Sequence, residues 1–422
     1  MLLSGGLLRR PALILKNEEG IYDRVALYKN KKATEPIVEL PLGKLVVGIV
    51  DEAVKNNKTY RVTRNMKLMN IDPEGKTLQM NVSAAMDTEN DTVWHPKRLF
   101  KEVTENIGYS LPHVQVGCQD PDLILNWMLD NWSAVGDWQA DAIQYLIEKE
   151  DVDILFSHYH AVDIEAHMFI KHMADRPFNK QPVAEAELWM REVYKQTDNY
   201  LGKFLHYLDE GWSVIIFSDH GQVASKHGIP LLVDVNGICT PVMEELGFTV
   251  TKEDGKGGRV IDWEKTRAVI QREGHIYLNL KGREPHGIVD PADQYELEEE
   301  IMTALYGYRD KETGRRIVSV ALRNRDAVLL GQGGPEAGDI CIWHAEGYNF
   351  DHADCLSTTW GESDTSVSPL FIAAGTGFKK GYETDRIIRQ IDFAPTVAVL
   401  GGVRMPAQCE GAPVYQIFEE EF

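Results

Sequence analysis

The run Ser213-Val214-Ile215-Ile216-Phe217-Ser218-Asp219-His220-Gly221 decides the reading of the fold. Val214 to Phe217 is continuously apolar, which fits a strand covered on both faces and not an alternating surface strand. Such a strand belongs inside an α/β sheet. The polar turn after it then falls at the strand's carboxyl end, where open sheets place their ligands. Asp219 and His220 offer an oxygen and a nitrogen donor there, a chemistry that suits Zn²⁺ or Mn²⁺. An adjacent Asp and His on an exposed turn is an ordinary surface feature. Buried at a strand end, the same pair carries a desolvation cost that a bound ion removes.

Upstream, Gly211 closes a long helix opened by Pro182, with Met190, Tyr194, Thr197, Leu201, Leu205 and Leu208 on its inner face. Before that helix, Val152 to Phe156 reads as a second short strand, and His158 to His167 follows as a polar segment. Trp138, Ala142, Tyr145 and Leu146 share one face of an earlier helix. Asp163 and His167 stand four apart, within about one helical turn, so both side chains can reach one ion. Strand, helix, strand with an acid–imidazole pair past each strand predicts an open parallel sheet.

Downstream the pattern changes. Charged and glycine-rich stretches such as Lys252 to Arg259 and Gly331 to Gly334 separate short strands and one helix near Tyr295 to Tyr306. This region reads as an insertion or lid. The core resumes at the apolar strand Pro369 to Gly375, and Ile391 to Leu400 is a helix with Pro395 in its first turn. The first part of the chain is turn-rich, with alternating segments Lys44 to Val50 and Thr77 to Val82. The expected organisation is therefore an accessory region over 1–125, core α/β over 126–236, an inserted lid over 237–350, and the closing part of the core over 351–422. No internal repeat or low-complexity tract interrupts it.

With 422 residues, 43% hydrophobic and 9% aromatic, the chain has material for one elaborated core or two domains. A formal net charge of −21 argues against a general binder of nucleic-acid duplexes or anionic membranes, which needs a basic face. It does not argue against a small phosphorylated substrate, because the local charge of an ion outweighs the global field. The cysteines at 118, 239, 341, 355 and 409 are odd in number and widely spaced, which reads as free thiols in a reducing compartment. No apolar run has the length of a membrane span. The opening residues Met1 to Arg10 carry their charges after a short apolar stretch, the wrong order for a signal peptide. The expected location is cytoplasmic, unless a targeting segment once preceded the first residue.

His352, in Phe350-Asp351-His352-Ala353-Asp354, joins the two pairs as a third imidazole, with His344 as its rival. His158, His160 and His227 are candidate second-sphere or substrate contacts. His95, His113, His172, His206, His275 and His286 read as surface or core residues.

The order Asp-x-x-x-His, then Ser-Asp-His-Gly, then a late His resembles the alkaline phosphatase superfamily, and within it the type I phosphodiesterase/nucleotide pyrophosphatase-like phosphohydrolases. Tyr277 to Pro285, Gly287-Ile288-Val289, Asp392-Phe393-Ala394-Pro395-Thr396 and Glu410-Gly411-Ala412-Pro413 agree with it. The likeness extends over residues 125–422 and is looser before them. It implies an α/β/α sandwich with a mostly parallel central sheet and inserted accessory regions. It also implies two divalent ions, zinc foremost and manganese second. Asp163, His167 and His352 would hold one ion, and Asp219 and His220 the other. Two ions about 4 Å apart clamp the attacking and leaving oxygens of an in-line displacement and stabilise charge on the equatorial oxygens.

In the family, a first strand ends in a metal-binding Asp, and a Thr, Ser or Cys nucleophile follows some tens of residues later. This chain is read as starting after both, which leaves the nucleophile unassigned. The nearest match is Leu45 to Asp51 with Ser83, Thr88 or Thr92 downstream. Asp51-Glu52 lacks the family's glycine-rich turn, so an accessory strand is the favoured reading. The expected activity is metal-dependent hydrolysis of a phosphoric ester, with a phosphodiester as the expected substrate. Two alternatives stand beside it: a phosphosugar mutase of the same superfamily, and a truncated homologue that binds metal without turnover.

Overall fold

The computed structural model describes residues 1–116, 120–173, 183–221, 235, 237–271, 274–345, 348 and 369–420. The chain divides into two compact units, Met1–Ala166 with Glu187–His206, and His167–Ala186 with Tyr207–Phe422.

In the first unit, strands β1 (Ala12–Lys16), β2 (Tyr22–Leu27) and β3 (Val38–Pro41) form an antiparallel sheet. Strands β4 (Leu45–Lys55), β5 (Lys58–Ile71) and β6 (Leu78–Val82) form a second. Asn56 and Asn57 join β4 to β5 with positive φ values of 52° and 58°, between the paired Lys55 and Lys58. A two-residue turn with both central residues left-handed matches the twist of a hairpin, and Asn tolerates that conformation. Val25, Leu27, Leu40, Ile49, Met66 and Leu68 form the core of these strands. Each fully buried aliphatic side chain of this kind contributes roughly 1.5–3 kcal/mol relative to exposure.

Among the helices that follow are α1 (Leu129–Lys149), α2 (Ala161–Met173) and α3 (Val183–Gly202), with His167–Ala186 counted in the second unit. On α1 the buried stripe is Leu129, Trp132, Val135, Ala140 and Ile143, with Ala142 beside it, while Trp138, Tyr145 and Leu146 are half-buried. On α3 the buried face runs through Ala186, Trp189, Met190, Val193 and Tyr200. Tyr194, expected inside, is 62% exposed. Helix α1 lies where periodicity put it, but α3 ends at Gly202 and not at Gly211, and Leu205, in the 3₁₀ turn Leu205–Leu208 that follows, is 54% exposed. Where the two helices meet, Ala140 and Ile143 of α1 share a core cluster with Tyr200 of α3. Tyr200 stacks on Tyr159 at 4.0 Å between ring centres. The expected strand over 152–156 does not form; Ile154 is 55% exposed and Phe156 77%. Among the described residues no ladder pairs with that segment, and a strand without a ladder leaves its backbone to solvent.

Beyond Tyr207 the second unit carries β7 (Ser213–Phe217), β8 (Ile238–Cys239), β9 (Ala268–Gln271), β10 (His275–Leu278), helix α4 (Gln294–Gly307), β11 (Val318–Arg323), β12 (Ile340–His344), β13 (Phe371–Gly375) and helix α5 (Phe393–Leu400). Strands β8, β9, β10, β12 and β11, in that spatial order, make an antiparallel sheet. Helix α4 buries Leu297, Ile301 and Leu305 in one core with Ile270, Ile276, Leu278, Ile340 and Ile342 of the sheet. The region expected to be an insertion or lid therefore has a packed core of its own. Strand β7 pairs antiparallel with β13, from Ser213 opposite Gly375 to Phe217 opposite Phe371.

The architecture is mixed α/β, as expected, but the expected mostly parallel sheet is absent among the described residues. Every ladder between named strands there is antiparallel, and parallel contact is confined to the isolated bridges Leu42–Leu68 and Leu280–Val289. The apolar run 213–217 does form a strand, but one that is half-buried along its length and not fully buried as expected, and an apolar run does not encode the direction of its neighbour. Among the described residues no helix is long and apolar enough to cross a membrane.

Candidate metal centre

Within the first unit, Asp163 sits in the first turn of α2, where unpaired backbone N–H groups favour a carboxylate. Its Oδ2 lies 2.9 Å from His160 Nε2, and the two side chains are 15% and 34% exposed. The His160 ring is 4.8 Å from that of His158 and 6.1 Å from that of His113. His113 leans on the buried Trp132 at 4.7 Å. Burial first, then the neighbouring His160 and His158, holds the His113 imidazole below its ordinary range. The structure thus brings His160 to Asp163 and sets beside His160 both His158 and His113, the last of which the sequence marked as filler. His167 lies one turn further along α2, with its side chain outside the described residues.

Glu165 escaped the sequence reading altogether. It is fully buried, and neither carboxyl oxygen has a hydrogen-bond partner among the described residues. Burial pushes its pKa up to about 9, so it keeps its proton at neutral pH. The Tyr159 hydroxyl is pushed up too, by burial first and by Glu165 second. A lone Glu in a polar-looking segment gives no signal of such a site.

Within the second unit, β7 ends at Phe217 and delivers Asp219 and His220 on the following turn. The Asp219 side chain is 72% exposed and that of His220 is 11% exposed, with His220 Nε2 3.8 Å from Asp219 Oδ1. His220 Nδ1 lies 2.9 Å from the Gly221 carbonyl. A carbonyl only accepts, so Nδ1 carries the hydrogen and Nε2 the lone pair. Two donors sharing one tetrahedral zinc, with bonds near 2 Å, stand about 3.3 Å apart. The observed 3.8 Å separation closes to that with a few tenths of an ångström of adjustment, so this carboxylate and imidazole fit a shared divalent ion.

The other sequence candidates sort as follows. His227 and His352 lie outside the described residues. His344 is buried at the end of β12, 2% exposed, and burial holds its pKa down to about 4. Asp51 is an accessory residue of β4. Its Oδ1 accepts from Arg10 Nε at 2.9 Å and Nη2 at 2.6 Å, and its Oδ2 is 3.7 Å from Arg64. The hydroxyls considered as nucleophiles are engaged in local structure. Ser83 Oγ accepts from Asn65 N and donates to Ala84 O, Thr88 donates to Arg61 O, and Thr92 donates to Asn90. Among the described residues no group of three or more His, Cys, Asp or Glu side chains converges to hold an ion.

A mixed α/β chain with an acid–imidazole pair after a strand, and a second such pair spaced along a helix, is of the class of phosphoric-ester hydrolases gathered in the alkaline phosphatase superfamily. Residues 58–365 match the family model described as type I phosphodiesterase / nucleotide pyrophosphatase, and the chain belongs to that family. The match spans Asp163, His167, Asp219, His220 and His352. It begins within the β4–β5 hairpin, earlier than the sequence reading placed it, and stops short of β13. Comparison with curated proteins and with solved structures returned no match.

Proposed function

We propose that the protein is a metal-dependent hydrolase of small phosphoric diesters. The observation that carries this reading is the Asp219–His220 turn at the end of β7, in a chain of the type I phosphodiesterase/nucleotide pyrophosphatase family. In this reading Asp219 and His220 hold one divalent ion, and Asp163, His167 and His352 hold another, with zinc favoured by the carboxylate and imidazole donors and manganese second. Such ions, when bound, supply Lewis acidity and charge stabilisation to an in-line displacement at phosphorus. The chain's own part is to fix its ligands. His220 presents Nε2 because Nδ1 is committed to Gly221, and His160 holds the Asp163 carboxylate. Family membership likewise supports an alkaline phosphatase-like sandwich; the division at 1–125, 126–236, 237–350 and 351–422 is proposed from the sequence pattern alone. Among the described residues Cys341 and Cys409 are free thiols, which supports a reducing, cytoplasmic setting.

The test is hydrolysis of bis(p-nitrophenyl) phosphate by the 422-residue chain with zinc or manganese, alongside metal analysis of the wild type and Asp219→Ala. Turnover together with metal loss in the variant supports the proposal. Tight stoichiometric metal retained in Asp219→Ala refutes the assignment of that ion. Isomerisation of a phosphosugar without phosphate release would instead identify a mutase. A second reading, ligand binding without turnover, is favoured by the local engagement of Ser83, Thr88 and Thr92. Measurable diester hydrolysis eliminates it.

A further inference from the structure

The turn that carries Asp219 and His220 is held in an unusual way: three consecutive carbonyls each accept a side-chain hydrogen bond. Asp219 O accepts from Gln390 Nε2 at 2.6 Å, His220 O from Ser218 Oγ at 2.9 Å, and Gly221 O from His220 Nδ1 at 2.9 Å. Ser218 also finishes the sheet. Its N–H donates to Leu370 O at 3.1 Å, continuing the register of Phe217 opposite Phe371. The return bond goes to the side chain, because Leu370 N donates to Ser218 Oγ at 3.2 Å. The hydroxyl therefore fixes both the last rung of the β7–β13 ladder and the path of the turn beyond it.

Gln390 reaches this turn from a distant part of the chain. It opens the single 3₁₀ turn Gln390–Asp392 ahead of α5, and Asp392 anchors that turn by accepting from Arg389 N and Ala412 N, each at 3.0 Å. Phe393, next in sequence, stacks on Phe217 at 4.1 Å and lies 5.3 Å from Phe371. The segment bearing Gln390 is thus packed against the strand pair whose turn it braces.

We propose that Ser218 and Gln390 are positioning residues. By holding the backbone of the turn they fix where the Asp219 carboxylate and His220 Nε2 point, so that both meet one divalent ion with only a small side-chain adjustment. This rests on the reading of Asp219 and His220 as ion ligands. Outer-sphere hydrogen bonds of this sort change metal affinity by about 10–100-fold.

The experiment uses the full chain and four variants: Ser218→Ala, Ser218→Thr, Gln390→Ala and Asp219→Ala. Zinc affinity is measured by competition with a chromophoric chelator, the visible spectrum is recorded on the cobalt-substituted protein, and thermal midpoints are compared. Ser218→Ala and Gln390→Ala should each bind zinc about 10–100-fold more weakly and alter the cobalt bands, with thermal midpoints near that of the wild type. Ser218→Thr, which keeps the hydroxyl, should restore both. Wild-type zinc affinity and spectrum in Ser218→Ala and Gln390→Ala, beside lost binding in Asp219→Ala, would overturn the inference and leave the ligand reading intact. A wild-type chain that binds no zinc would overturn the ligand reading and the inference with it.

Discussion

Replacing His344 by Leu should flatten the acid limb of the protein's stability curve. His344 is 2% exposed in β12, and burial holds its pKa at about 4, against roughly 6.5 in an unfolded chain. Between those values the unfolded state binds the proton and the folded state does not. Stability therefore falls as pH falls through this window, by up to about 1.4 kcal/mol per pH unit, and is unaffected above it. The gap from about 4 to roughly 6.5 corresponds to about 3 kcal/mol in total. Leu is close in volume and cannot titrate, so the wild-type and His344→Leu curves should converge in shape near pH 7 and separate progressively toward pH 4. Urea titrations at pH 7, 6, 5 and 4.5 measure the difference, and hydrogen exchange of the β12 amides shows whether the loss is local or global. An unchanged acid slope in His344→Leu would mean that the imidazole is not buried and neutral, and would refute the placement of β12. The same variant should keep its zinc affinity; loss of zinc would move the third imidazole ligand from His352 to His344.

Asp51→Ala leaves the buried Arg10 and Arg64 guanidiniums without their shared carboxylate, and it should cost about 3–5 kcal/mol in denaturant titration with zinc content unchanged. Zinc loss at constant stability would instead make Asp51 a ligand. Gly375 closes β13 with a φ of +102°, and a Cβ there would stand 2.2 Å from the Trp212 carbonyl. Gly375→Ala should therefore cost at least about 1–3 kcal/mol and lower the thermal midpoint, whereas a midpoint equal to wild type would contradict the β7–β13 register.

Much of the local structure was legible because it depends on local physics. The apolar run before Ser218, the periodicity of 294–307 and the Pro395 helix each specify an element by themselves. Strand direction is different. Val214 to Phe217 and Phe371 to Ala374 both read as buried strands, but their antiparallel pairing depends on which neighbour each one finds. The isolated run 152–156 makes the converse point: β-rich composition yields no strand where no ladder forms. The same division runs through the candidate site. Asp219-His220 and Asp163-x-x-x-His167 show as spacings, since one turn or helix carries both members of each pair. Gln390, 171 residues from the carbonyl it holds, and His113, beside His160 only through the fold, leave no such trace. Glu165 is hidden for another reason, because one glutamate in a helix looks the same whether it faces water or a dry interior. What decides its protonation is the desolvation imposed by the finished structure. Motif spacing thus names the proposed ligands, while the residues proposed to orient them become visible only once distant segments have packed together.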